Sequence, residues 1–282
     1  MTTSFATGKG RDPWACAFPD LVNPIGCPQV GQTDKSPADI EDLTIPGGPK
    51  GTVSIRIVRP KGNTSMLPAV LYFRGNGWVP GGNDTHDRSV REIANGAGAA
   101  VVVVNFATSS EGRFAPALEE ACAATRYVAD CGKQHNLDAS YLAVAGDGAG
   151  GNLAAAVTLL AKHHHGLQIV CQVLFYPVTD AGCYICPNFP TSALGTSTDQ
   201  MKGLPPAVVI TCEFDALRED GEAYAAKLRE AGADVTAVRY FGLCHDFLMM
   251  DAVSQSAQAQ GAIALATSNL RKAFTLHQAP TL

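Results

Sequence analysis

The sequence predicts a doubly wound, mostly parallel α/β sheet of about eight strands, flanked by helices on both faces. Three observations carry that prediction. Short runs at 69–73, 99–104, 169–175 and 207–212 are almost wholly apolar, as strands buried on both faces must be. Stretches with helical spacing separate them, so strand and helix alternate, the order of parallel βαβ units. The chain has 282 residues, 46% of them hydrophobic, enough for one large domain with its own core. No internal repeat and no linker divides it.

In chain order, residues 1–37 are rich in Pro, Gly and polar residues and read as an irregular arm over the body, leaving 38–282 as the domain. Ile40–Ile45 and Thr52–Arg59 are strand-like, the second by its alternation of Val53, Ile55 and Ile57, with a Pro46-Gly-Gly turn between them. Ala69–Phe73 is a buried strand followed by the glycine-rich Arg74-Gly75-Asn76-Gly77-Trp78. Asp84–Ala97 suits a helix capped by Asn83 or Asp84. Ala99–Val104 is a buried strand, and Ala115–His135 is a long helix with Leu118, Cys122 and Tyr127 near helical spacing. Leu142–Ala145 is a strand, Gly146–Gly150 a tight turn, and Leu153–Lys162 a helix. Ile169–Phe175, Ala207–Cys212 and Val235–Tyr240 are further strands, with helices at Glu219–Ala231 and Ala257–Phe274. Ligands of such sheets bind beyond the carboxyl ends of the strands. The loops to search are therefore 74–83, 105–114, 146–150, 176–204, 213–219 and 241–247.

Composition excludes several classes. A net charge of −5, with acidic residues scattered, gives no reason to expect nucleic acid or an anionic membrane as a partner. No apolar run approaches a membrane span, and the first residues lack the apolar core of a signal peptide, so a soluble cytoplasmic protein is expected. Nine cysteines leave at least one thiol unpaired. Cys122, Cys171 and Cys212 lie in apolar segments and read as small buried hydrophobes. Cys183-x-x-Cys186 has redox or zinc spacing, but no second pair completes a zinc site and no helix opens behind it. His163-His164-His165 ends a helix and reads as a solvated last turn. No metal and no cofactor is expected.

The chemistry gathers around residues 141–152, Tyr-Leu-Ala-Val-Ala-Gly-Asp-Gly-Ala-Gly-Gly-Asn. Strand, glycine turn and helix make the context of a nucleophile elbow, G-x-S-x-G. The position of the serine holds Gly148. Glu213-Phe214-Asp215 follows the strand at 207–212, and Gly242-Leu243-Cys244-His245-Asp246-Phe247 follows the strand at 235–240. Elbow, Asp, His is the chain order of one class of catalytic triad. An Asp holding Nδ1–H of a histidine leaves Nε2 as the base. Backbone N–H groups of Gly75, Asn76 and Gly77, with that of Ala149, are candidates for an oxyanion hole.

With these motifs assembled, the chain resembles the hormone-sensitive-lipase family of α/β-hydrolases, carboxylesterases with HGGGW and GDSAGG motifs. The resemblance spans about residues 38–275. It rests on 73–78 (FRGNGW), 83–88 (NDTHDR), 146–151 (GDGAGG), 204–210 (LPPAVVI), 215–224 and His245-Asp-Phe247. It implies an α/β-hydrolase fold, His245 and Asp215 as catalytic residues, Gly148 at the nucleophile position, and Arg74, Trp78, Phe106, Asp147 and Phe247 around a small, apolar carbonyl compound. The departures are as informative. Arg74 replaces the motif His, Asn76 the middle Gly, and Phe106 a family Tyr, while only 178–203 remains of the helical cap. Gly148 alone would suggest an engineered inactive variant; together with the other departures it suggests natural divergence. Arg74 suits a substrate carboxylate or phosphate, or else an ion pair with Asp84 or Asp87.

A site of this kind admits three functions. The first is a repurposed enzyme in which the His–Asp dyad and oxyanion hole carry out dehydration, cyclisation, isomerisation or retro-aldol chemistry, for which 2-hydroxyisoflavanone dehydratases set a family precedent. The second is a non-catalytic binding module, as the gibberellin receptors are, or an open cleft covered by a second copy of the chain. The third is a weak esterase or lactonase using water activated by His245.

Overall fold

A computed structural model describes residues 35–75, 85–106, 114–163, 167–179 and 195–276. Residues 1–34, which make up most of the arm, and 180–194, within the cap segment, lie outside these, as do Asn76, Gly77, Trp78, Asn83, Cys183 and Cys186.

Eight strands form one sheet: β1 (Ala38–Pro46), β2 (Thr52–Pro60), β3 (Leu67–Phe73), β4 (Ala100–Asn105), β5 (Leu137–Asp147), β6 (Ile169–Phe175), β7 (Ala207–Phe214) and β8 (Val235–Cys244). Their spatial order is β1-β2-β4-β3-β5-β6-β7-β8. β1–β2 and β2–β4 are antiparallel, and every later neighbour is parallel. The helices are α1 (Asp87–Ala97), α2 (Phe114–Cys131), α3 (Gly148–His163), the single turn α4 (Thr198–Met201), α5 (Arg218–Glu230) and α6 (Ala257–Leu276). The predicted doubly wound architecture is the observed one.

Side-chain alternation along the central strands assigns the two cores. Leu71 and Phe73 of β3, Val102 and Val104 of β4 and Val144 of β5 face one side, where they pack with Leu118 and Ala121 of α2, Leu153 and Val157 of α3 and Tyr224 and Leu228 of α5. Val70 and Tyr72, Val101 and Val103, and Ala143 and Ala145 face the other, against Val90 and Ile93 of α1 and Ala262, Ala266 and Leu270 of α6. Both faces of these strands are dry, which is why they carry no polar alternation. The thiols follow the expectation for small hydrophobes. Cys171 and Cys212 are buried and Cys122 packs on the core edge; burial pushes the thiol of Cys122 up to about 11, which suppresses the reactive thiolate.

Several boundaries differ from the sequence reading. Helix α1 starts at Asp87, three residues later than expected, with His86 as its N-cap and no side-chain cap hydrogen bond; His86 is drawn instead to a buried carboxylate, described below. The long helix before β5 closes as a 3₁₀ turn over Gly132–His135, ended by Asn136 in the left-handed region. Strand β8 runs on through Cys244, with an irregularity after Tyr240 before Cys244 pairs with Phe214, so residues 241–244 are strand and not loop. Among the described residues, no helix is long and apolar enough to cross a membrane.

Candidate active site

The elbow is built by backbone crowding. Helix α3 begins at residue 148 itself, directly after β5, where the sequence reading began it at Leu153. A Cβ on Gly150 would lie 1.9 Å from the carbonyl oxygen of Phe73, and one on Gly146 would lie 2.3 Å from that of Gly150. No side chain fits at either point, so the glycines let α3 seat directly on β3 and β5. The chain leaving β6 is tied to the same turn: Val178 N–H donates to Gly148 O at 3.0 Å, and Asn152 Nδ2–H donates to Val178 O at 2.7 Å.

Residue 148 differs from its glycine neighbours. Its φ of +49° is left-handed, and the nearest atoms to a Cβ built on it are His245 Nε2 at 3.5 Å and Cε1 at 3.8 Å. The imidazole therefore faces the point from which a side chain at 148 would project. On its other side, His245 Nδ1–H donates to Asp215 Oδ2 at 2.9 Å. The Asp215 side chain is wholly buried, whereas that of His245 is 29% exposed. Asp215 Oδ1 also accepts from Leu217 N–H at 2.8 Å, and His245 N–H donates to Phe214 O at 3.3 Å. These bonds fix the two loops at the ends of β7 and β8 to one another. The structure thus joins the predicted His–Asp pair and turns it toward the elbow.

Two groups that the sequence reading did not single out complete the surroundings of His245. The Tyr176 ring lies 4.8 Å from the His245 ring, centroid to centroid, and 5.4 Å from that of Phe247. Tyr176 has φ of +35°, a conformation costly for a side chain of this size, and such strain is typical of functional sites. Asp246, also left-handed at φ +62°, places Oδ1 3.5 Å from His245 Nε2. Burial by itself would disfavour a charged imidazole. The hydrogen bond to Asp215 and the carboxylates of Asp246, Asp215 and Asp147 outweigh it, and the pKa of His245 is raised above its ordinary value. Partial burial raises the carboxyl pKa of Asp246, with repulsion from Asp147 and Asp215 adding and attraction to His245 opposing.

Three expected roles are corrected. Asp147 is wholly buried and cannot meet a substrate. Its carboxylate accepts from Tyr72 O–H at 2.8 Å and from His86 Nε2–H at 3.1 Å. Burial alone would raise its pKa, but the charge and hydrogen bond of His86, the Tyr72 hydroxyl and the Gly75 N–H together hold it below the usual carboxylate range. Gly75 N–H is therefore committed to Asp147 and not to an oxyanion, and a Cβ on Gly75 would meet Asp147 Oδ2 at 2.3 Å. Phe247 is also wholly buried, serving as the floor beneath Tyr176. Arg74 lines a small cavity with Arg56, His86, Asp87 and Asn105, on the β2–β4 side, where Asp87 also pairs with Lys35 at 2.8 Å and Arg91 at 2.9 Å. Of the other expected residues, Asn76, Gly77 and Trp78 lie outside the described residues. Ala149 lies in the first turn of α3, where backbone N–H groups have no helical acceptor. Phe106 packs on Phe73 at 6.4 Å between ring centroids.

Sequence reasoning missed His86, Tyr72, Tyr176 and Asp246. The signal for His86 was its place just before a helix in an otherwise acidic segment; for Tyr72 it was a hydroxyl inside an apolar strand. Among the described residues, no group of three or more His, Cys, Asp or Glu is placed to hold a metal ion.

Comparison with known proteins agrees with this frame. A family model described as the alpha/beta hydrolase fold matches residues 70–190 and 188–249. The esterase LipI of Mycobacterium tuberculosis is 34% identical over 240 residues, 74% of this chain and 75% of its own length. Carboxylesterase NlhH of the same organism is 31% identical over 255 residues, 79% of this chain and 80% of its own. The crystal structure of a thermostable esterase from Pseudomonas putida superposes with a TM-score of 0.80 at 35% identity, covering 86% of this chain and 85% of that one. Sheet order, elbow and relatives together place the chain in the α/β-hydrolase fold, as a member of the hormone-sensitive-lipase-like carboxylesterase family.

Proposed function

We propose that this esterase-type hydrolase acts on small carbonyl compounds through His245 as general base, oriented by Asp215, without a covalent acyl-enzyme. The observation that carries the proposal is the position of His245 Nε2, 3.5 Å from where a Cβ at 148 would lie, with Nδ1 held by Asp215 at 2.9 Å. The base is poised and the residue in front of it bears no hydroxyl. A water molecule is then the natural attacking group for an ester or lactone. Its oxygen bonds to the carbonyl carbon as Nε2 takes a proton, and the carbonyl electrons move onto oxygen near the Ala149 N–H. Collapse expels the alkoxide, which recovers the proton from Nε2, giving acid and alcohol.

A second reading is favoured by the same absence of a side chain at 148. A substrate with an acidic C–H beside its carbonyl gives that proton to Nε2, opening the way to dehydration, cyclisation, isomerisation or retro-aldol cleavage. The relatives LipI and NlhH are esterases by name, which supports hydrolysis as the first reading.

The test is turnover of p-nitrophenyl acetate and of a simple lactone by wild type and His245→Ala. General-base catalysis of this kind accounts for about 10²–10⁴-fold in rate, so His245→Ala should lose at least about 100-fold. Equal rates in the two proteins would refute the proposal and leave a binding module.

A further inference from the structure

We propose that Asp246 is a second catalytic residue, a carboxylate that with His245 holds and orients the attacking water above Gly148. This rests on the general-base reading given above and deepens it.

In neutral His245, Nδ1–H is given to Asp215 at 2.9 Å, so Nε2 is an acceptor. Asp246 Oδ1 stands 3.5 Å from Nε2, beyond an ordinary N–H···O bond. A carboxylate is also an acceptor, and two acceptors cannot bond to one another. Acceptors 3.5 Å apart are within reach of one bridging water, and Nε2 is also the atom nearest to the Cβ position of residue 148, at 3.5 Å. A serine hydroxyl has one hydrogen and would satisfy only the imidazole. Water has two, one for Nε2 and one for Oδ1, and this directs an oxygen lone pair away from both acceptors toward a bound carbonyl. Asp246 is therefore of little use to a serine hydrolase and of direct use to a site whose nucleophile is water.

The two carboxylates beside His245 are built differently. The Asp215 side chain is wholly buried, fitting an orienting group, whereas that of Asp246 is 46% exposed and can meet solvent and substrate. Asp246 reaches its position through a left-handed backbone, φ +62° and ψ +15°, as cap of the 3₁₀ turn Phe247–Met249; Asp and Asn tolerate this conformation better than other side chains do. The charged and titratable groups around the pair are Asp215 at the end of β7, Asp147 with His86 and Tyr72 beneath β5, and Tyr176 at the end of β6.

The experiment is the pH profile of kcat/KM for p-nitrophenyl acetate in wild type, Asp246→Asn, Asp246→Gly and Asp246→Glu, with His245→Ala as reference and His245 ring titration followed by NMR. Asn and Gly both suit the left-handed backbone, and Gly also leaves no amide to occupy Nε2. Both should lower the alkaline plateau about 10–100-fold. Both should also move the acid limb and the ring titration to lower pH, because a charge stabilising imidazolium is gone; Asp246→Glu should regain part of the plateau. A limb that moves while the plateau stays would mean that Asp246 acts only by its charge, and the assignment would fall. Absence of any His245-dependent turnover in the wild type would instead overturn the general-base reading itself.

Discussion

Replacing Gly148 by serine tests the site most directly. The left-handed φ of +49° at this position costs a side chain roughly 1–2 kcal/mol relative to glycine. Space is not the obstacle. The Cβ would meet His245 Nε2 at 3.5 Å, Cε1 at 3.8 Å and Gly75 Cα at 4.0 Å, all ordinary contacts. The hydroxyl, one bond further out, comes within hydrogen-bond reach of Nε2. A cost of that size lowers the melting temperature by roughly 2–8 °C in a domain this large, leaving the protein folded. The gain in rate is bounded by what a serine supplies in serine hydrolases, roughly 10⁶-fold in kcat. With Gly75 N–H committed to Asp147, the oxyanion donors of the described residues are fewer than expected, so a gain of about 10³-fold on p-nitrophenyl acetate is the appropriate threshold. The assay is stopped-flow hydrolysis, in which an acyl-enzyme gives a burst equal to the enzyme concentration. A folded Gly148→Ser protein with neither burst nor gain would refute the alignment of His245 with residue 148.

Two further perturbations test the frame. Asp147→Ala strips the buried partner from Tyr72 and His86 and should cost about 3–5 kcal/mol in denaturant unfolding. Because the folded pKa of Asp147 lies below its ordinary 3.8, its contribution is present above the unfolded value and is lost as pH falls through the folded one, so the gap between wild type and variant should close in strong acid. Gly150→Ala pushes a methyl into the Phe73 carbonyl, 1.9 Å away, and should cost more than the ~1–3 kcal/mol of ordinary overpacking; a melting temperature equal to wild type would contradict the described elbow.

Much of this was legible in the sequence because the physics is local there. Strands such as 99–104 and 169–175 are dry on both sides and so announce themselves. The order elbow, Asp215, His245 follows from which strand ends carry those residues. The unreadable parts depend on partners distant in sequence. Helix α1 starts at Asp87 because His86 serves a carboxylate 61 residues away. Asp147 looked like a substrate contact because the motif places it beside residue 148, yet successive strand residues point to opposite faces, and this one points into Tyr72 and His86. Gly75 looked like an oxyanion donor because it begins a glycine-rich loop; only the structure shows where its N–H is spent. The role of Asp246 needed the distance to Nε2, which no spacing encodes.

The contrast among the elbow glycines has an evolutionary corollary. Gly146 and Gly150 press on main-chain atoms, so any change there must deform the body of the molecule. Position 148 looks out over an imidazole edge with room to spare. Mutation can therefore add or remove a reagent at 148 while the architecture that aims at it stays put. On the proposed mechanism, exchange of this one residue is the step between acyl transfer and water-based chemistry, with no need to rebuild the fold around it.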